Sequence, residues 1–201
     1  MLTENGAKTD TTYLPSNPLA RAGAYVVDWY IACVLTEIAI LLTDLMLYRE
    51  ILNATGHIKL ADDAGVWEYL LLNLVVLALL TVYFAVIPGM TEGEHRGQTL
   101  GMRLFKLKVV AADLSDTSVK RLFLRGIVLF TFLQQTFSPF GSRFQQLLGC
   151  IFTDGGAVVK AVAFASAGIG ILSCAMILFS PGGQTLHDSF TRTKVVCVKK
   201  A

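Results

Sequence analysis

GQTLGMRLFKLKVV at residues 97–110 and GQTLHDSFTRTKVV at residues 183–196 share Gly-Gln-Thr-Leu and Lys-Val-Val in one register, at a constant offset of 86 residues. Each follows an apolar block that ends in Pro-Gly, at Pro88-Gly89 and Pro181-Gly182. Each half of the chain therefore reads as two helices, a turn and a short strand. The tails LFKLKVVAA and RTKVVCVK alternate and are rich in valine, as short strands are, so they are expected to pair with each other. The glycine of each quartet suits a turn out of a helix end, and its Gln and Thr can hydrogen-bond carbonyls freed there. A capping device is the simpler reading beside ligand binding, because nothing in the quartet requires a substrate.

The blocks between these elements decide the solvent. Of 201 residues, 54% are hydrophobic and 16% charged, against roughly 45–50% and 25% for a soluble domain, and mean hydropathy is +0.58. That excludes disorder and points to lipid. No charge falls between Tyr69 and Thr91, a length that crosses the ~30 Å hydrocarbon layer. None but His187 falls between Ala161 and His187, and Thr153-Asp154 can cap that helix. The apolar run between Arg125 and Arg143 is long enough only if its helix starts near Asp116, whose side chain could cap it. The first block opens on Asn17-Pro18, a cap followed by proline at the first helical position. Its polar leader and internal acids are unlike a signal peptide, so it is expected to be retained.

The expected fold is an all-α membrane protein with four transmembrane helices, at about 18–47, 67–88, 118–138 and 156–180. They form two parallel-related halves, with short cytoplasmic β-strands after helices 2 and 4. Residues 1–16 read as a polar cytoplasmic tail and 17–198 as the membrane domain. Thirteen of the 17 Lys and Arg residues fall on the side of the 89–120 loop and both termini, and four on the other. The positive-inside bias makes that first side cytoplasmic and gives a multi-pass protein of the plasma (cell) membrane. These basic residues are dispersed among apolar ones, which suits lipid headgroups and not nucleic acid. Cys33, Cys150, Cys174 and Cys197 show no CxxC spacing, so neither a metal site nor a disulfide framework is expected, and no cofactor is implied.

Ionisable groups within spans are costly and usually face an interior or a watery cavity. Asp28 lies about 15 Å along the first helix from Pro18 and is the deepest acid. Arg21 shares its face but is separated by roughly 10 Å of rise, so each is expected to have another partner. Arg21 also sits in a first helical turn, where a cation opposes the helix dipole. Asp188 is at the right depth to pair with it; snorkelling to lipid phosphate is the competing reading. Glu37 lies half a turn away from Asp28 and is the intramembrane acid without an evident partner, protonated by desolvation or facing a groove between subunits. Asn73, Thr81, Gln134 and Gln135 are expected to bond between helices. Ser166, Gly170 and Cys174 form a small-residue strip suited to close packing.

PLARAGAYVVDWYIA in the first helix, RGQTLGMRLFKLKVV and GGQTLHDSFTRTKVV together resemble the RDD family of membrane proteins over about residues 16–198. The resemblance assigns Arg21 as the arginine and Asp28 and Asp188 as the two aspartates. One departure is Met102, where the family commonly has lysine; a contact of that lysine with phosphates or lipids would be absent here. Another is the segment 139–153, expected to lie as an amphipathic stretch on the outer face. The resemblance implies cation/proton exchange for some members.

Two functions follow as expectations. One is transport of a small cation or proton using Arg21, Asp28 and Asp188, for which four helices would call for a homodimer. The alternative is a non-transporting membrane assembly, lipid-binding or accessory protein, acting with a membrane protein partner, in which those residues are structural. The sequence shows no nucleophile and base pairing, metal cluster or phosphate loop, so no enzyme is expected.

Overall fold

Asn17 starts the first helix by accepting the Leu19 N–H on its side chain at 2.9 Å and the Arg21 N–H on its carbonyl at 3.1 Å. In the computed structural model, which describes residues 11–47, 66–127, 139–152, 155–180 and 184–200, a strand β1 (Thr11–Pro15) leads into this helix, α1 (Pro18–Leu47). Helix α2 (Val66–Thr81) continues through a wider turn at Val82–Val86 into α3 (Ile87–Met90). Then come α4 (Leu100–Leu104), β2 (Leu107–Ala111) and α5 (Val119–Phe123), with helical backbone running on to Ile127. The remaining elements are α6 (Pro139–Ile151), α7 (Gly155–Phe179), α8 (Leu186–Thr191) and β3 (Thr193–Lys200).

Three stretches are long and apolar enough to cross a membrane: Pro18–Thr43, Val66–Met90 and Gly156–Ile177. The second half of the fourth expected span, 128–138, lies outside the described residues, as do the Thr153-Asp154 cap, Gln134 and Gln135. Asp116 does not cap α5. Ser118 does so, accepting the Arg121 N–H, while Asp116 pairs with the buried Lys108 at 2.9 Å. Asn73 and Thr81 donate to carbonyls one turn back in their own helix, Tyr69 and Leu77, where bonds between helices were expected. In a dry environment this satisfies the Thr81 hydroxyl and one Asn73 amide hydrogen without requiring a neighbour, while the buried Asn73 Oδ1 has no partner among the described residues. In the strip on α7, Ser166 and Gly170 are buried but Cys174 is exposed.

The sheet has the order β1-β3-β2, antiparallel throughout. Its first strand comes from the segment expected to be a polar tail; TTYLP alternates too briefly to stand out, and it is ordered by pairing with β3. In the β2 and β3 ladder, Leu107 faces Cys197, Val109 faces Val195 and Ala111 faces Thr193. A shift of 86 residues maps this register onto itself, so the two strands meet about a local two-fold axis at Val109 and Val195. The symmetry extends to the flanks. Lys106 and Arg192, which are repeat counterparts, both adopt left-handed backbone, with φ of 54° and 53°. The Lys106 carbonyl accepts from Val198 and the Arg192 carbonyl from Ala112, each at 2.9 Å.

Two apolar clusters hold these layers together. Ala32, Ala39 and Ile40 of α1 pack with Leu72, Val76 and Leu80 of α2, and Phe144 of α6 packs against them. Ala24 and Ala85 join Leu107, Val109, Leu122 and Val195, which fixes the sheet to the ends of the helices. Burying a side chain of this kind contributes about 1.5–3 kcal/mol, so the sheet is part of the core.

Candidate functional site

The two Gly-Gln-Thr-Leu quartets build the site. Gly97 has a φ of +76°, and any Cβ there would collide with the Val109 carbonyl, so glycine is required. Its N–H donates to the Pro88 carbonyl at 2.7 Å, which satisfies one group freed at the helix end. Gln98 donates to the Leu107 carbonyl at 2.8 Å. Thr99 caps α4 by accepting the Met102 N–H, and Thr185, its repeat counterpart, caps α8 by accepting the Asp188 N–H. The threonines thus serve the following helix starts and not the preceding helix ends.

Each capped turn holds a carboxylate. Asp28, buried on α1, accepts from the Thr99 hydroxyl at 2.6 Å, from the Gly101 N–H at 2.9 Å and from the Tyr83 hydroxyl. Glycine at 101 permits this approach, because a Cβ would meet the Ala24 carbonyl and the Asp28 carboxylate. Asp188 completes a capping box by accepting the Thr185 N–H at 3.1 Å. It also accepts Arg21 Nη2 at 2.6 Å and Arg125 Nε at 2.8 Å, with none of its side chain exposed.

Burial alone would raise the Asp188 pKa, but Arg125 and Arg21 hold it well below the usual carboxylate range. Burial is also the main reason that His187 is pushed down to about 3, aided by Arg125. The imidazole beside the cluster is therefore neutral at pH 7. The charges in direct contact are the two guanidinium groups of Arg21 and Arg125 and the Asp188 carboxylate between them.

Of the residues singled out from sequence, Arg21 and Asp188 meet in an ion pair that joins α1 to α8. Asp28 belongs to a separate set of donors centred on α4. Glu37 is exposed on α1, on the side away from Asp28, among the exposed Val34 and Ile38. Sequence reasoning did not single out Arg125, Thr99, Thr185, Gly101 or Tyr83 as partners. The repeat itself carries a signal for the threonines, and Arg125 stands near the start of its apolar block as Arg21 does in the first. Nothing in the sequence marks Tyr83.

A cavity of about 460 Å³ adjoins the cluster, with Arg21, Asp28, Arg125 and His187 on its wall. Among the described residues no group of three or more His, Cys, Asp or Glu could hold a metal ion. A family model described as the RDD family matches residues 15–192. Neither the curated proteins nor the solved structures hold a match to the chain. With its arginine, its two buried aspartates and nearly its whole length inside that match, the chain belongs to the RDD family.

Proposed function

We propose that the chain is a non-enzymatic, non-transporting protein of the plasma membrane, with both termini cytoplasmic, in which Arg21, Asp28 and Asp188 lock the first helix onto a cytoplasmic platform. In this reading the platform is the β1-β3-β2 sheet with α4 and α8, and four spans form two parallel-related halves. The protein then serves as an assembly, lipid-binding or accessory component for a membrane protein partner or a second copy of itself. The observation that carries the reading is the donor count at the carboxylates. Asp28 and Asp188 each accept three hydrogen bonds from the chain, so a cation would have to displace the bonds that hold the fold.

Transport of a small cation or proton is the second reading, favoured by the position of Asp28 on the cavity wall. Flux of protons and alkali cations into vesicles containing the purified full chain separates the two. The lock predicts no flux above that of empty vesicles. Flux that is abolished in Asp28→Asn, in protein that remains folded, would establish transport instead.

A further inference from the structure

Arg125 gives only its Nε to Asp188, and among the described residues nothing accepts from its two terminal nitrogens. Its side chain keeps 13% exposure and borders the 460 Å³ cavity. A guanidinium presents five N–H donors in a planar fork, so the part of it that reaches the cavity can donate to an anionic group there. Away from Arg21, Asp28 and His187 the wall is mostly apolar. Tyr25, Trp29 and Ala32 of α1 line it together with Gly170, Cys174 and Ile177 of α7 and with Phe84. The volume is within the ~300–1,000 Å³ usual for ligand sites.

We propose that this cavity holds an acyl chain of an anionic amphiphile whose head accepts hydrogen bonds from Arg125. The apolar walls distinguish this occupant from a free inorganic anion, which would gain nothing from Trp29 or Ile177. Asp28 does not oppose it directly, because its oxygens are turned to Thr99, Tyr83 and Gly101. The site is independent of whether the chain moves an ion.

Trp29 provides the readout, since the chain has two tryptophans and Trp67 can be replaced by phenylalanine. The full chain carrying Trp67→Phe, purified in mild detergent, is titrated with phosphatidylglycerol brominated on its acyl chains, and separately with brominated phosphatidylcholine. Saturable quenching of Trp29 is expected, with half-saturation about tenfold lower for the anionic lipid, the worth of one charge-assisted hydrogen bond. Arg125→Gln should remove that preference. Cys174→Phe fills the cavity from an exposed position on α7 and should weaken quenching by both lipids without touching the ion pairs, so it remains informative if Arg125→Gln does not fold. Equal half-saturation for the two lipids overturns the proposal, as does quenching unchanged by Cys174→Phe. Displacement of the lipid by millimolar inorganic phosphate would also overturn it, in favour of a free-anion site.

Discussion

Val109 lies directly opposite Val195 in the β2 and β3 ladder, and each is the other's counterpart in the 86-residue repeat. Val109 sends its N–H away from β3, to the Gly97 carbonyl, so the two valines form a non-hydrogen-bonded pair. Such pairs have Cα atoms about 4.5 Å apart, inside the range a disulfide can bridge. Val109→Cys with Val195→Cys, in a Cys197→Ala background, should therefore crosslink on mild oxidation and bring a fragment of the first half down with the second after proteolysis between them. Two fragments running separately on a denaturing gel without reductant would contradict the register.

Replacing Asp188 should be the most damaging single change in the cluster. Asp188→Asn leaves Arg21 and Arg125 buried around a neutral amide, and removing one partner of a buried pair costs about 3–5 kcal/mol. Thermal unfolding of the purified protein in detergent should show a large drop in midpoint. An unaltered midpoint would mean that the arginines find other acceptors.

Asp28 is held by neutral donors, so its loss should cost less. Thr99→Val removes one hydrogen bond to the carboxylate together with the cap of α4, each worth about 1 kcal/mol. Gly101→Ala should be worse than Thr99→Val, because the methyl group meets backbone and carboxylate together. The order of unfolding midpoints, wild type above Thr99→Val above Gly101→Ala, tests this.

The pH dependence of stability should be divided between two groups. The folded pKa of His187, about 3, lies below the unfolded value of about 6.5. Between these values the unfolded chain binds a proton that the folded chain does not, so stability falls as pH falls, by up to about 1.4 kcal/mol per pH unit. The folded pKa of Asp188 is also depressed. Its contribution is present above the unfolded pKa of about 3.9 and is lost as pH drops below that towards the folded value. His187→Gln should flatten the slope between pH 6 and 4 and leave the acid limb below 4. A slope that survives the substitution would assign it to another group.

Glu37 lies on the exposed side of α1. If that side meets only detergent in the purified protein, Glu37→Gln should move the unfolding midpoint by no more than about 0.5 kcal/mol equivalent. A larger loss, dependent on protein concentration, would place Glu37 in a contact between copies.

The repeat was the most legible feature, since offset, turn glycine and valine-rich strand are all local and all written in the residues. The start of α1 at Asn17-Pro18 was legible for the same reason. Thr11–Pro15 was not, because a five-residue strand takes its order from the neighbour it pairs with. The cluster divides in the same way. The depth of Asp28 and the dipole-opposed position of Arg21 could be counted along one helix, and they pointed to partners elsewhere. Which partners these were depended on how α4, α5 and α8 fold back, which no spacing within a single helix encodes. Asp116 shows the limit from the other side: an acid ahead of a helix reads as a cap, yet the buried Lys108 claims it.

Met102 occupies in the first repeat the position that Asp188 occupies in the second. In an assembly of two identical chains any substitution appears twice, so neither copy can change alone. Joined in one polypeptide, the copies are released from that constraint. One turn carries its own acid, which holds two arginines; the other carries none at that position and receives one from α1. The two turns of one polypeptide can therefore divide the labour, and of the two aspartates only the one borrowed from α1 lines the cavity.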